Sequence, residues 1–78
     1  MTGSDPKERL DALRAWLDLL VNDPATGLEK RDERIELAGE LYDENTLDGE
    51  QYAAFYELRR AGADRIPDLA KCCRRLIG

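Results

Sequence analysis

Two adjacent cysteines, Cys72 and Cys73, and seventeen carboxylates carry most of the chemical capacity of this 78-residue chain, which has no histidine. Imidazole is the commonest acid–base catalyst and metal ligand near neutral pH, so its absence removes conventional catalytic triads and the zinc or di-iron sites that need it. The cysteines cannot chelate one ion, because chelating pairs leave two or more residues between the sulfurs. On a helix, neighbours diverge by about 100°. A bridge between them needs a strained ring incompatible with helix, which predicts two free thiols in a reducing compartment, Cys73 in the core and Cys72 at its boundary. A reactive Cys72 would need Lys71, Arg74 and Arg75 to lower its pKa, and no neighbouring base supports one. The run Asp43-Glu44-Asn45-Thr46-Leu47-Asp48-Gly49 has the composition of a calcium-binding EF-hand loop but not its register. With Gly49 in the sixth position, Phe55 falls at the twelfth, where a bidentate Glu is required. The run reads as a polar turn followed by a helix cap. Nothing places two carboxylates in an apolar pocket, the desolvation that a raised carboxyl pKa needs. The expectation is a non-enzymatic protein with no catalytic residue, no metal and no cofactor.

The carboxylates are more informative as a pattern than as chemistry. Net charge is −5, which argues against nucleic acid as a partner of the whole molecule. The charge is also segregated: residues 1–58 hold six basic against fifteen acidic groups, and residues 59–78 hold six basic against two acidic. Glu29, Glu33, Glu36, Glu40 and Glu44 fall within about 80° of one another on a helical wheel, with Asp32 and Asp43 beside them. Like charges at i,i+4 cost a few tenths of a kcal/mol per pair. An acidic ridge that slightly destabilises its own helix is expected either to be ordinary solvated surface or to meet a basic partner. The cations Lys71, Arg74 and Arg75 sit where they complement a helix C-terminus, and without interleaved aromatics they make a weak nucleic-acid signal.

Helices must position these groups. The composition is rich in helix formers, with twelve Leu and nine Ala. Asp5-Pro6-Lys7-Glu8 supplies a cap, a proline for the first helical position and an acid three residues after the cap. Leu10, Leu13, Leu17 and Leu20, widened by Trp16 and Val21, then form an apolar face, and Asn22-Asp23-Pro24 ends it. Thr26 and Glu29 predict a second capped helix over residues 27–43, with Leu28, Ile35, Ala38, Leu41 and Tyr42 on one side. Asp48 with Gln51, and Leu47 with Tyr52, are the signatures of a capping box and a hydrophobic staple. They predict a third helix over residues 49–61, with Tyr52, Phe55 and Tyr56 inward and Gly62 as a left-handed terminator. Ile66, Leu69, Ala70, Cys73, Leu76 and Ile77 predict a short C-terminal helix, with Asp64 as its cap and Pro67 in its first turn. The expected fold is all-α, a compact bundle of four short helices, three longer and one shorter, forming a single domain over residues 1–78.

One segment, Leu47-Asp48-Gly49-Glu50-Gln51-Tyr52-Ala53-Ala54-Phe55-Tyr56, resembles the start of the central helix in the Hha family of nucleoid-protein modulators. It covers ten of 78 residues, the rest of the chain does not follow that family, and no residue role is carried over. In general character, though not by motif, the chain looks like the small inhibitors that phages and mobile elements encode, anti-CRISPR proteins among them. The expectation is therefore a small acidic inhibitor or regulator that occupies a basic, nucleic-acid-binding surface of a larger partner. Glu29, Glu33, Glu36, Glu40 and Glu44 would make the contact, carboxylates standing in for phosphates. The alternatives are a regulatory adapter or structural subunit that forms a homodimer, and a nucleic-acid modulator acting through the basic C-terminal segment. No stretch of 18 apolar residues is present, and the N-terminal run Met1-Thr2-Gly3-Ser4-Asp5-Pro6 shows neither an apolar signal region nor a lipidation pattern, so a cytoplasmic protein without a membrane partner is expected.

Overall fold

In a computed structural model describing residues 5–78, the chain forms five helices. These are α1 (Pro6–Asn22), α2 (Pro24–Leu28), α3 (Arg31–Asp43), α4 (Gly49–Arg60) and α5 (Ile66–Ile77), with no strand among the described residues. The expectation for residues 1–4 lies outside them. The all-α bundle stands, with four helices of twelve residues or more and one of five. None is long and apolar enough to cross a membrane.

The caps explain where most helices begin. Asp5 accepts a 2.9 Å hydrogen bond from the Lys7 amide, and Pro6 opens α1. Asp48 and Gln51 make a complete reciprocal box at the start of α4, at 2.8 and 2.9 Å. Between α3 and α4 the chain turns through Asn45, whose φ of 64° is the left-handed conformation that Asn tolerates. The Thr46 and Leu47 amides fold back onto the Leu41 carbonyl, so residues 43–49 form a polar turn leading into a helix cap.

Four local expectations need correction. The helix anticipated over residues 27–43 is two helices. Pro24, lacking an N–H that a first turn would leave unpaired anyway, opens α2 as well as ending α1. Thr26 then donates to the Asp23 carboxylate at 2.7 Å instead of capping a helix. Gly62 is not left-handed, because Ala61 leaves α4 in extended geometry at ψ 146° and takes the chain out without a positive φ. Arg65, not Asp64, occupies the N-cap position of α5, and makes no side-chain cap bond there. The C-terminal helix is as long as α4, at twelve residues.

One buried cluster joins all the longer helices. Leu13, Trp16, Leu17 and Leu20 of α1 meet Ile35, Ala38 and Leu41 of α3, Phe55 and Leu58 of α4, and Ile66, Ala70, Cys73 and Ile77 of α5, with Leu47 between. Trp16 and Phe55 stack with centroids 6.5 Å apart, and the buried Trp16 indole donates to the Gly27 carbonyl at 2.9 Å. The first and last helices lie together. Their junction is closed by side chains: Arg14 donates to the Ile77 carbonyl (3.1 Å), Gln51 to the Leu76 carbonyl (2.8 Å) and Arg74 to that of Gly78. Carbonyls that a helix end leaves without intrahelical partners are thus satisfied from three different helices.

Candidate interaction surface

Helix α3 owes its orientation to Ile35, Ala38 and Leu41, which are buried at a spacing that leaves the opposite side to solvent. Asp32, Glu33, Glu36, Glu40 and Asp43 are all exposed there. Asp32 and Glu33 in the first turn suit the positive end of the helix dipole, whereas Asp43 and Glu44 stand at its negative end. Glu44 is offset by a bidentate pair from α1, Arg9 Nη1 to Oε2 at 3.0 Å and Nη2 to Oε1 at 2.6 Å, and Arg9 also stands 3.7 Å from Glu40. Hydrogen bonding from Arg9, joined by its charge and opposed by partial desolvation, holds the Glu44 carboxyl below the usual glutamate range.

The five glutamates read from the sequence are therefore not equivalent. Glu33, Glu36 and Glu40 share the outer face of α3. Glu29 is exposed but belongs to the turn between α2 and α3, because the helix that would have aligned it is broken. Glu44 caps α3 and is neutralised by Arg9. Among the described residues no basic group lies within 4.0 Å of Asp32, Glu36 or Asp43.

Sequence reasoning missed the tyrosines. Tyr42 and Tyr56 were expected inward and are instead 43% and 44% exposed. With the half-buried Tyr52 they form a cluster along α3 and α4: Tyr42 stacks on Tyr52 at 5.0 Å with planes 10° apart, and Tyr56 is tilted against Tyr52 at 6.4 Å. Apolar periodicity alone does not separate a buried ring from one at the edge of the apolar face. The signal available was the hydroxyl, which keeps one end of a tyrosine wet. Beside the cluster runs an open groove of about 630 Å³, bordered by Asp32, Glu36, Glu40 and Asp43 on α3 and by Tyr52 and Arg59 on α4.

In the basic C-terminal segment Arg74 is the one cation held by the fold among the described residues, whereas Arg59, Arg60, Arg65, Lys71 and Arg75 are exposed. Arg74 reaches Asp18 of α1 at 3.3 Å as well as the Gly78 carbonyl, while Lys71 and Arg75 border a smaller cleft floored by Val21. Cys72 is exposed and Cys73 buried, both as free thiols, and burial pushes Cys73 up to about 12. No group of three or more Cys, Asp or Glu among the described residues is arranged to hold a metal ion.

Comparison with protein-family models, with curated proteins and with solved structures finds no match.

Proposed function

We propose that this chain is a non-enzymatic interaction protein that occupies a basic surface of a larger protein, acting as an inhibitor or regulator in the cytoplasm. It would work in the manner of the small phage-encoded inhibitors, anti-CRISPR proteins included. The observation that carries this reading is the outer face of α3, where exposed Asp32, Glu36 and Asp43 stand outside any ion pair among the described residues. Beside them Glu33 and Glu40 meet Arg34 and Arg9 only at 3.5 and 3.7 Å. Fixed carboxylates can replace phosphates at lysine and arginine sites, and a single-sign surface speeds encounter with its complement. Glu33, Glu36 and Glu40 lie at the centre of the contact, with Glu29 and Glu44 at its two ends.

The test compares the parent with the combined variant Glu33→Lys, Glu36→Lys and Glu40→Lys, whose side chains are exposed and should leave the fold intact. Immobilised parent should capture a basic protein from host lysate at about 50 mM salt and release it at about 200 mM, as the Debye length falls from about 14 to about 7 Å. The variant should capture nothing comparable. In a mobility-shift assay the parent should relieve the captured protein's hold on DNA. Equal capture by parent and variant would refute the reading, retention of DNA by this chain alone would favour a nucleic-acid modulator, and self-association in sedimentation would favour a homodimeric subunit.

A further inference from the structure

The chain keeps its single Trp and single Phe inside and gathers all three tyrosines into one outer cluster. Tyr42 and Tyr56 are two of the three large apolar side chains exposed among the described residues. Their place beside the groove follows from the helix register. A Cβ added at Gly39 would stand 3.5 Å from the Tyr52 hydroxyl, and one at Gly49 would stand 4.0 Å from the Tyr42 ring, so α3 and α4 run antiparallel with 39 level with 52 and 42 with 49. The same register sets Arg59 level with Asp32, at the far end of the groove from Tyr42 and Asp43. One end is thus aromatic and acidic, and Arg59, the only cation lining the groove among the described residues, stands at the other.

We propose that the Tyr42 end of this groove seats an arginine side chain presented by a short segment of a partner protein. This deepens the reading above and rests on it. The electron-rich face of an aromatic ring attracts cations, and a planar guanidinium can lie against such a face while its edge donates to carboxylates such as Glu40 and Asp43. An ammonium has no flat face to stack. Anionic ligands are repelled by four carboxylates against one Arg. Length limits the segment: α3 from Asp32 to Asp43 spans about 16 Å at 1.5 Å per residue, room for about five extended residues. A second copy of this chain has Arg60, Arg65 and Arg75 exposed outside any ion pair among the described residues. It is the poorer occupant because each copy carries a net charge of −5, and self-association in sedimentation would overturn that choice.

NMR titration of the intact chain with three capped pentapeptides tests the seat, each alternating glycine with arginine, lysine or citrulline. The arginine peptide should shift the ring signals of Tyr42 and Tyr52 and bind more tightly than the lysine peptide, and the uncharged citrulline peptide should not bind. Tyr42→Leu should weaken the arginine peptide by about two- to fivefold and Tyr42→Phe should not, with amide spectra confirming that both variants are folded. Equal binding of the arginine and lysine peptides, no binding of either, an unchanged affinity in Tyr42→Leu or shifts confined to another face would each overturn the proposal. Equal binding of the two cationic peptides that Glu36→Lys with Glu40→Lys abolishes would discard the aromatic seat and leave the acidic surface standing. Binding indifferent to those charge reversals would discard both.

Discussion

Glu44 joins two helices through one guanidinium, and its lowered pKa makes that contact visible in pH dependence. A carboxyl whose pKa is lower folded than unfolded contributes stability that is present above its ordinary value, about 4.3, and lost as pH falls through the folded value. The direction here is downward, with the Arg9 hydrogen bond as first cause. Parent protein should therefore lose more stability between pH 6 and pH 3 than Glu44→Gln does, and urea melts at the two pH values measure the difference. Indistinguishable pH profiles would mean that the pair contributes nothing in solution, as many exposed pairs do not. This pairing was not legible in the sequence, since Arg9 and Glu44 are 35 residues apart and nothing local relates them.

Elements meet through glycines in two places, with opposite consequences for an added methyl group. Alanine exceeds glycine in helix propensity by about 1 kcal/mol. At Gly39 in α3 the new Cβ finds only ordinary contact with Tyr52, at 3.5 Å or more, so Gly39→Ala should stabilise by about 0.5–1 kcal/mol. At Gly27 in α2 it would stand 2.7 Å from Leu20 Cδ2 and 3.4 Å from the Leu20 backbone. Leu20 is fully buried and cannot swing aside, so Gly27→Ala should destabilise by about 1–3 kcal/mol, overpacking outweighing propensity. Thermal melts of the two variants should move in opposite directions. Element boundaries were legible where side chains write them, as at Asp5-Pro6 and Asp48 to Gln51. They were obscured where packing decides: the break after Leu28 lies close to Gly27, which is pressed against α1 and offers its carbonyl to Trp16. For the same reason the acidic face was readable from the α3 periodicity, and the tyrosine cluster, which depends on how α3 and α4 are set side by side, was not.

The molecule as a whole has one apolar cluster, to which four helices contribute, and a domain of this size has a total stability of about 5 kcal/mol or a little more. Phe55 is fully buried in it and stacks on Trp16. Phe55→Ala should cost about 3–5 kcal/mol, enough to leave a large fraction of the chain unfolded at 37 °C. Circular dichroism melts should show that loss as one cooperative transition, and a variant melting like its parent would mean that the cluster is not the unit of stability. The closure of α5 onto α1 also bears on how the protein is made. Of the fourteen buried apolar residues, four lie in α5, and Arg14 and Gln51 find their backbone partners only at positions 77 and 76. A nascent chain therefore exposes the apolar faces of α1, α3 and α4 until α5 is free to pack on them, so folding waits for the synthesis of residue 77 instead of accompanying that of the earlier helices. Over that interval the emerging chain is a substrate for chaperones and proteases, and the time it spends there is set by synthesis, since helical bundles close quickly once all their helices are present.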